Sequence, residues 1–145
     1  MDLILWRHAE AEEGGADLER QLTAKGRKQA ERVAQWLLQR LSGKFSVISS
    51  PAARAQQTAE ALQANFKTVK ALAPGAQVKD MLQAANWPDH KGAVVLVGHQ
   101  PDFGRAVAYL VSGQEAEWRI KKGGFWWVSN KNELIVRAVV SPDLL

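Results

Sequence analysis

Short apolar runs alternate with longer amphipathic segments along the chain. Residues 2–6, 45–49 and 93–97 are mostly apolar runs of five residues each, which is typical of strands buried on both faces of a parallel sheet. After the first run, apolar residues recur at helical spacing and predict a helix over residues 23–41. Thr23 has the side chain of an N-cap, and Gly43 stands where a helix C-cap is expected.

The rest of the chain continues the alternation of helix and strand. Ser50-Pro51 predicts a helix start with Ser50 as the N-cap, and that helix is expected to run to about Ala64. The pattern then predicts, in order, a short strand near 69–72, a turn at Pro74-Gly75, a helix over 78–85, a helix that begins at Gln100-Pro101 and ends near Gly113, and a hairpin of strands 125–128 and 134–140.

This order of elements predicts an α/β fold. Strand alternating with helix favours a three-layer sandwich, in which a mostly parallel sheet carries helices on both faces. The final hairpin should add one antiparallel strand at an edge of the sheet. A length of 145 residues fits one hydrophobic core, so we expect a single domain over residues 1–145.

Composition removes several classes of function. The chain has no cysteine, which excludes disulfides, thiolate chemistry and cysteine metal sites. Its net charge of +4 favours anionic partners, but the basic residues form no long run, so we expect no nucleic-acid partner. The apolar run that starts at Leu3 is too short for a signal segment or a membrane span. We therefore expect a cytoplasmic, monomeric protein with no membrane partner.

Basic side chains follow three of the predicted strands. Arg7 and His8 follow the first strand, Arg54 follows the second, and His99 follows the strand at 93–97. Ligands of such sheets bind outside the carboxyl ends of the strands. Two guanidinium groups can grip phosphate oxygens bidentately, and a histidine can donate a further hydrogen bond. The sequence therefore predicts a phosphoryl site at this edge of the sheet.

His8 is the candidate nucleophile of that site. A neutral imidazole can attack phosphorus, and the phosphoimidazole that forms is labile enough for water to hydrolyse it. One ring nitrogen must attack while the other is held, for which we expect a backbone carbonyl. The three histidines, His8, His90 and His99, have no spacing typical of a metal site. We therefore expect a reaction without metal or other cofactor.

Four segments together carry a resemblance to a known family. Residues 5–10 (Leu-Trp-Arg-His-Ala-Glu), 20–30 (with Leu-Thr-Ala-Lys-Gly), 49–59 (with Ser-Pro-Ala-Ala-Arg) and 97–101 (Val-Gly-His-Gln-Pro) appear in order along nearly the whole chain. They resemble the motifs of the histidine phosphatase (phosphoglycerate mutase-like) superfamily. The small size and residues 72–75 (Leu-Ala-Pro-Gly) look most like its SixA-type phosphohistidine phosphatases.

The resemblance implies a hydrolase that dephosphorylates a signalling protein, such as a histidine phosphotransfer domain. It implies that His8 is the nucleophile and that Arg7, Arg54 and His99 bind the phosphoryl group. Larger members carry a carboxylic general acid in an insertion that is short here. The nearest replacements are Glu10, Glu12, Asp80 and Asp102, and the sequence leaves open which of them, if any, acts.

The short third segment favours a phosphoprotein over a small phosphate ester. Expelling imidazole needs less acid assistance than expelling an alkoxide, and a short segment leaves the pocket open. The alternatives are a small-molecule phosphomonoesterase and a non-catalytic phosphate-binding module. A mutase is disfavoured because the chain leaves little room for a lid. Lys121-Lys122 is interpreted as a solvated loop, or alternatively as a segment that reaches toward an anionic substrate.

Overall fold

The computed structural model describes residues 1–145 and contains six strands, four α-helices and three short 3₁₀ turns. The strands and helices run, in chain order, β1 Asp2–Arg7, α1 Ala24–Leu38, β2 Phe45–Ser49, α2 Ala53–Glu60, β3 Lys67–Thr68, α3 Val78–Ala84, β4 Ala93–Gly98, α4 Asp102–Ser112, β5 Phe125–Asn130 and β6 Leu134–Val140. None of the helices combines the length and apolar character that crossing a membrane requires.

All six strands form one mixed sheet in the order β3-β2-β4-β1-β5-β6. The first four are mutually parallel, β5 is antiparallel to β1, and β6 is antiparallel to β5. The predicted α/β fold is confirmed, and the hairpin lies at one edge of the sheet as expected. Within it, β5 is the strand that runs against the others, and β6 is the outermost strand.

The apolar runs are buried because helices cover both faces of the sheet. Side chains alternate along β1, so that Ile4 and Trp6 face one core cluster while Leu3 and Leu5 face the other. The first cluster includes apolar residues of α1 and α2, and the second includes those of α3 and α4. A strand with both faces covered needs apolar residues at every position, which explains why its sequence shows no alternation.

Several predicted boundaries are wrong in the first half of the chain. Helix α1 ends at Leu38, and Gly43 lies in the following loop with a φ of 71° instead of capping the helix. The N-cap of α2 is Ala52, not Ser50, and α2 ends at Glu60 instead of Ala64. The backbone turns just after α2, where Gln63 has a φ of 52°.

The third strand lies earlier than predicted. It comprises Lys67 and Thr68, and residues 70–72 form a 3₁₀ turn instead of a strand. The amide of Val69 still donates to the carbonyl of Ser49 on β2, at 3.0 Å. The chain then turns and buries Leu72 in the second core cluster. The predicted strand near 69–72 is therefore wrong in position, since only its first residue continues the pairing with β2.

The start of α1 fixes the segment that follows β1. Thr23 caps the helix, because its Oγ1 accepts a hydrogen bond from the Gly26 amide at 3.0 Å. The Thr23 amide in turn donates to the carbonyl of Glu10, at 3.0 Å. A Cβ at Gly26 would overlap with the same carbonyl. The glycine of the Leu-Thr-x-x-Gly segment therefore allows α1 to approach the residues next to His8 closely.

Candidate active site

The four predicted site residues meet at the carboxyl ends of the central strands. Arg7 is the last residue of β1 and pairs in register with Gly98 of β4, so His8 and His99 both leave neighbouring strands at this edge. Arg54 is the second residue of α2, which follows β2. All four line one cavity of about 540 Å³, and one of its 13 lining residues is hydrophobic. The predicted convergence of these side chains is confirmed.

The imidazole of His8 is held in one orientation. Its Nδ1 lies 2.7 Å from the carbonyl oxygen of Ala9. A carbonyl can only accept a hydrogen bond, so Nδ1 carries the proton and donates it. The lone pair therefore resides on Nε2, which accepts from Arg54 Nε at 3.3 Å. The predicted backbone partner is present, and the free nitrogen points toward the cationic groups of the cavity.

Both histidines of the site are neutral at neutral pH. Burial and, to a lesser extent, the nearby charges of Arg54 and Arg7 lower the pKa of His8 to about 4, against the opposing hydrogen bond to Ala9. Burial likewise lowers the pKa of His99 to about 3, with His8 and Arg54 as further causes. The two rings lie 5.2 Å apart. A neutral imidazole with a lone pair on Nε2 is the nucleophilic form.

His99 is oriented by Ser50. Its Nε2 lies 2.8 Å from Ser50 Oγ, and its Nδ1 faces Arg54 Nη2 at 3.5 Å. The same hydroxyl oxygen accepts from the Ala52 amide at 3.1 Å. Ser50 was predicted to cap α2, and its side chain instead positions the second histidine. Since a hydroxyl can donate or accept, it can satisfy either neutral tautomer of His99.

Arg54 is buried and donates several hydrogen bonds. Besides His8, its guanidinium contacts Asp17 twice, with Nη1 donating to the main-chain carbonyl at 2.7 Å and Nη2 to the carboxylate at 3.3 Å. Burial lowers the pKa of Arg54, and the charge of Asp17 opposes that shift. Arg54 lies in the first turn of α2, so its charge adds to the positive end of the helix dipole.

Arg7 lines the cavity and has one buried nitrogen without a hydrogen-bond partner. Its Nη1 donates to the carbonyl of Ile120, in the loop between α4 and β5, at 2.7 Å. Its Nε is buried and has no hydrogen-bond partner. A buried donor without an acceptor is costly. The arginine is therefore held through Nη1, and its Nε is unsatisfied.

Sequence reasoning missed several residues that line the cavity. Glu13, Asp17 and Arg20 come from the loop between β1 and α1, and Gln100 follows His99. Lys122 also lines the cavity, in agreement with the alternative interpretation of its loop, while Lys121 pairs with Asp143 at 3.2 Å. The loop's polar, glycine-containing composition marked it as irregular, but no periodicity indicated which of its side chains turn inward.

The four candidate general acids lie outside the cavity lining. Glu10 accepts from Thr23 Oγ1 at 2.8 Å, and Glu12 is exposed on the loop after β1. Asp80 is on α3, where it lines a different surface cavity. Asp102 is buried and accepts from the amides of Gly75 and Ala76, so its carboxylate fixes the Pro74-Gly75 turn. None of the four carboxylates therefore lines the cavity that contains His8.

Stability should fall as the pH drops below about 6.5. The folded-state pKa values of His8 and His99 lie below the ordinary value of 6.5, so the unfolded chain takes up protons that the folded chain does not. The stabilisation is fully present above about pH 6.5 and is lost progressively as the pH falls toward 4. Near pH 5, the free energy of unfolding should be lower by at most roughly 2 kcal/mol per histidine. Urea unfolding at about pH 7 and pH 5 measures this loss. An unchanged or higher midpoint at pH 5 would contradict it.

The arrangement can bind and attack a tetrahedral oxyanion. Fixed positive donors from Arg7 and Arg54 surround the Nε2 of a neutral imidazole, which is the charge pattern that phosphoryl transfer requires. Across the whole chain, no group of three or more histidine, cysteine, aspartate or glutamate side chains is placed to hold a metal ion.

Comparisons with known proteins agree with this geometry. A family model described as histidine phosphatase superfamily (branch 1) matches residues 3–94. An uncharacterized protein of Picosynechococcus sp. is 36% identical over 138 residues, which covers 86% of this chain and 82% of that protein.

Among solved structures, the protein histidine phosphatase SixA complexed with tungstate superposes with a TM-score of 0.87 at 23% identity, over 99% of each chain. A phosphoserine phosphatase variant from Entamoeba histolytica in complex with phosphoserine reaches 0.76 at 16% identity, over 99% of this chain and 98% of that one. At these identities, the two structures show a shared fold.

Proposed function

The chain belongs to the histidine phosphatase superfamily, and from that membership we propose that this phosphatase hydrolyses phosphohistidine in a protein through a phosphohistidine intermediate at His8. The observation that carries the proposal is the state of His8. Its Nδ1 proton is bound by the Ala9 carbonyl and its Nε2 lone pair faces Arg54. An imidazole held in this way is ready to attack a phosphoryl group that the arginines bind.

The first chemical step forms one P–N bond and breaks another. The lone pair of His8 Nε2 attacks phosphorus, and the substrate imidazole leaves with the electron pair of its P–N bond and takes a proton. The hydrogen bond that Arg54 Nε donates to Nε2 in the free protein is redirected to a phosphoryl oxygen, which frees the lone pair for attack, and Arg54 stays protonated. The leaving imidazole takes its proton from solvent. A water molecule then attacks phosphorus, the P–N bond to His8 breaks with its electron pair returning to Nε2, one proton of the water passes to solvent, and inorganic phosphate is released.

Donors on three sides stabilise the charge of the transferring group. Arg7 contributes its guanidinium, which lines the cavity, and Arg54 contributes its guanidinium from the first turn of α2. His99 presents Nδ1, which can donate to the anion when the Ser50 hydroxyl donates to the opposite ring nitrogen. We propose that these groups supply the positive charge without a metal ion, because two fixed guanidinium groups match the charge of a phosphoryl dianion.

The carboxylate that contacts Arg54 favours imidazole as the leaving group. Asp17 is bound to Arg54 at 3.3 Å and to Arg20 at 3.2 Å. Desolvation is the largest single contribution and raises the pKa of Asp17, but the charges and hydrogen bonds of Arg54 and Arg20 together lower it below its ordinary value. Asp17 is therefore ionised at neutral pH and has no proton to donate. Imidazole leaves more readily than an alkoxide, since its other nitrogen can be protonated by solvent. A phosphohistidine-bearing protein, such as a histidine phosphotransfer domain, therefore fits the site better than a phosphate ester.

A small phosphomonoester is the second candidate substrate. A cavity of about 540 Å³ has room for a small molecule. Moreover, the phosphoserine phosphatase of Entamoeba histolytica shares the fold. This candidate predicts comparable rates on esters and on phosphohistidine, whereas the first predicts a strong preference for phosphohistidine.

Turnover of both substrate classes by the full chain, with chelator present, separates the candidates. One arm uses a phosphohistidine-bearing phosphotransfer domain, and the other uses para-nitrophenyl phosphate at equal concentration. We expect kcat/KM on phosphohistidine to exceed that on the ester by roughly 100-fold or more, since the ester lacks an easily expelled leaving group. Equal or faster ester turnover would identify a small-molecule phosphatase. No turnover of either substrate would leave a phosphate-binding module.

A further inference from the structure

The anion that Arg54 holds in the free protein is a carboxylate of the same chain. Arg54 Nη2 donates to the Asp17 carboxylate at 3.3 Å, and its other close neighbour is His99 Nδ1 at 3.5 Å. Nη1 donates to the Asp17 carbonyl, and Nε donates to His8. A phosphoryl group that takes a bidentate grip on Arg54 must therefore replace one of these partners.

Asp17 is the partner that can withdraw at the lowest cost. The side chain of Arg54 is 4% exposed, whereas that of Asp17 is 58% exposed. Asp17 begins a 3₁₀ turn, residues 17–19, that buries none of its residues. A carboxylate at this position can rotate into solvent, and the core of the protein need not change. The main-chain carbonyl of Asp17 keeps its hydrogen bond to Nη1 when the side chain moves.

The loop that carries Asp17 is attached by polar contacts. Arg20 donates to the Asp17 carboxylate and to the carbonyl of Glu12, the latter at 3.0 Å. Gly14 and Gly15, which have positive φ values of 81° and 75°, lie between these contacts and line the cavity. Contacts to charged groups at the surface are weak in water. The loop can therefore release the carboxylate and take it back.

We propose that Asp17 sets how tightly the pocket holds phosphate and thereby speeds product release. This inference deepens the proposed function and rests on it, since it assigns Asp17 to the release step of that reaction. Arg7, Arg54, Arg20 and Lys122 surround a site that receives a small dianion. So many cations would retain inorganic phosphate after hydrolysis. The Asp17 carboxylate competes with phosphate for Arg54 Nη2 and replaces it as the product leaves.

The variant Asp17→Asn isolates the charge of the side chain. Asparagine has the same size and can still accept a hydrogen bond from Arg54, but it does not compete as an anion. We expect inorganic phosphate to bind the variant about tenfold more tightly, which is the factor that one charge-assisted hydrogen bond contributes. Isothermal titration calorimetry with inorganic phosphate measures the affinity without any turnover, so it remains informative if the proposed substrate is wrong.

Steady-state kinetics on the phosphohistidine substrate give the second measurement. Product release should become slower in Asp17→Asn, so kcat, KM and the inhibition constant for phosphate should all fall together. The matched control is Glu19→Gln, which removes the same charge from the same exposed turn without touching Arg54. Weaker or unchanged phosphate binding by Asp17→Asn would overturn the proposal. Equally tight binding by Glu19→Gln would also overturn it, because the effect would then reflect net charge alone.

Discussion

Replacing His8 by alanine should abolish phosphohistidine turnover, with kcat lowered by roughly 10⁴-fold or more. The reason is that the variant loses the proposed nucleophile, the nitrogen that accepts from Arg54 Nε. Arg7 and Arg54 remain in place, so His8→Ala should still bind inorganic phosphate. Turnover assays and titration of the variant with inorganic phosphate together distinguish loss of the nucleophile from loss of phosphate binding.

The matched control is the third histidine of the chain. His90 follows α3 and lies at the opposite end of the sheet from the site, next to residues that precede β4. His90→Ala should therefore retain normal turnover. Brief reaction with labelled substrate should leave an acid-labile label on the wild-type protein and none on His8→Ala. Turnover by His8→Ala within tenfold of the wild type would contradict the assignment of His8.

The sheet could be predicted because its central strands are buried on both faces. The mostly apolar runs at β1, β2 and β4 are typical of strands with both faces covered. The peripheral strand β3 has two exposed residues, so no hydrophobic pattern marks its position. The end of α1 was also misplaced, since apolar Leu41 continues the helical period beyond the last helical residue. Predictions from hydrophobic pattern were reliable where burial determined the structure.

The site could be predicted where a strand end positions the side chain. Arg7, His8 and His99 are at or next to the ends of neighbouring parallel strands, so their approach follows from the topology alone. Asp17 and Ile120 hold the two arginines from loops. Their placement depends on contacts that Arg54 and Arg7 make with main-chain carbonyls, and any residue type can supply a carbonyl. No sequence signal distinguishes such positions.

Closeness in sequence to a site histidine did not predict which carboxylate lies in the cavity. Glu10 lies two residues after His8, yet its side chain turns to Thr23 and secures the start of α1. Asp102 lies three residues after His99, yet it is buried beneath the Pro74-Gly75 turn. Both carboxylates accept hydrogen bonds that the fold requires, which removes them from the chemistry. Asp17 is more distant in sequence from either histidine and contacts the site directly.

Replacing Arg54 by lysine should lower kcat/KM on phosphohistidine by about 10²–10³-fold. Lysine keeps the positive charge but has neither Nε nor the planar fork, so it cannot donate to His8 and to two phosphoryl oxygens in a fixed geometry. The loss should appear mainly in kcat, because the fork is aligned to charge that develops as phosphorus is attacked. Arg137→Lys is the matched control, since Arg137 pairs with Asp2 at 3.3 Å on the exposed hairpin.

The same variant tests the link between Arg54 and Asp17. If the carboxylate acts by competing for Nη2, then Asp17→Asn should tighten phosphate binding in the wild-type background and have little effect when residue 54 is lysine. The two substitutions should therefore be non-additive in a double-mutant cycle on phosphate affinity. Additive effects would show that Asp17 acts through the general field of the cavity. Turnover by Arg54→Lys within threefold of the wild type would show that charge alone suffices at this position.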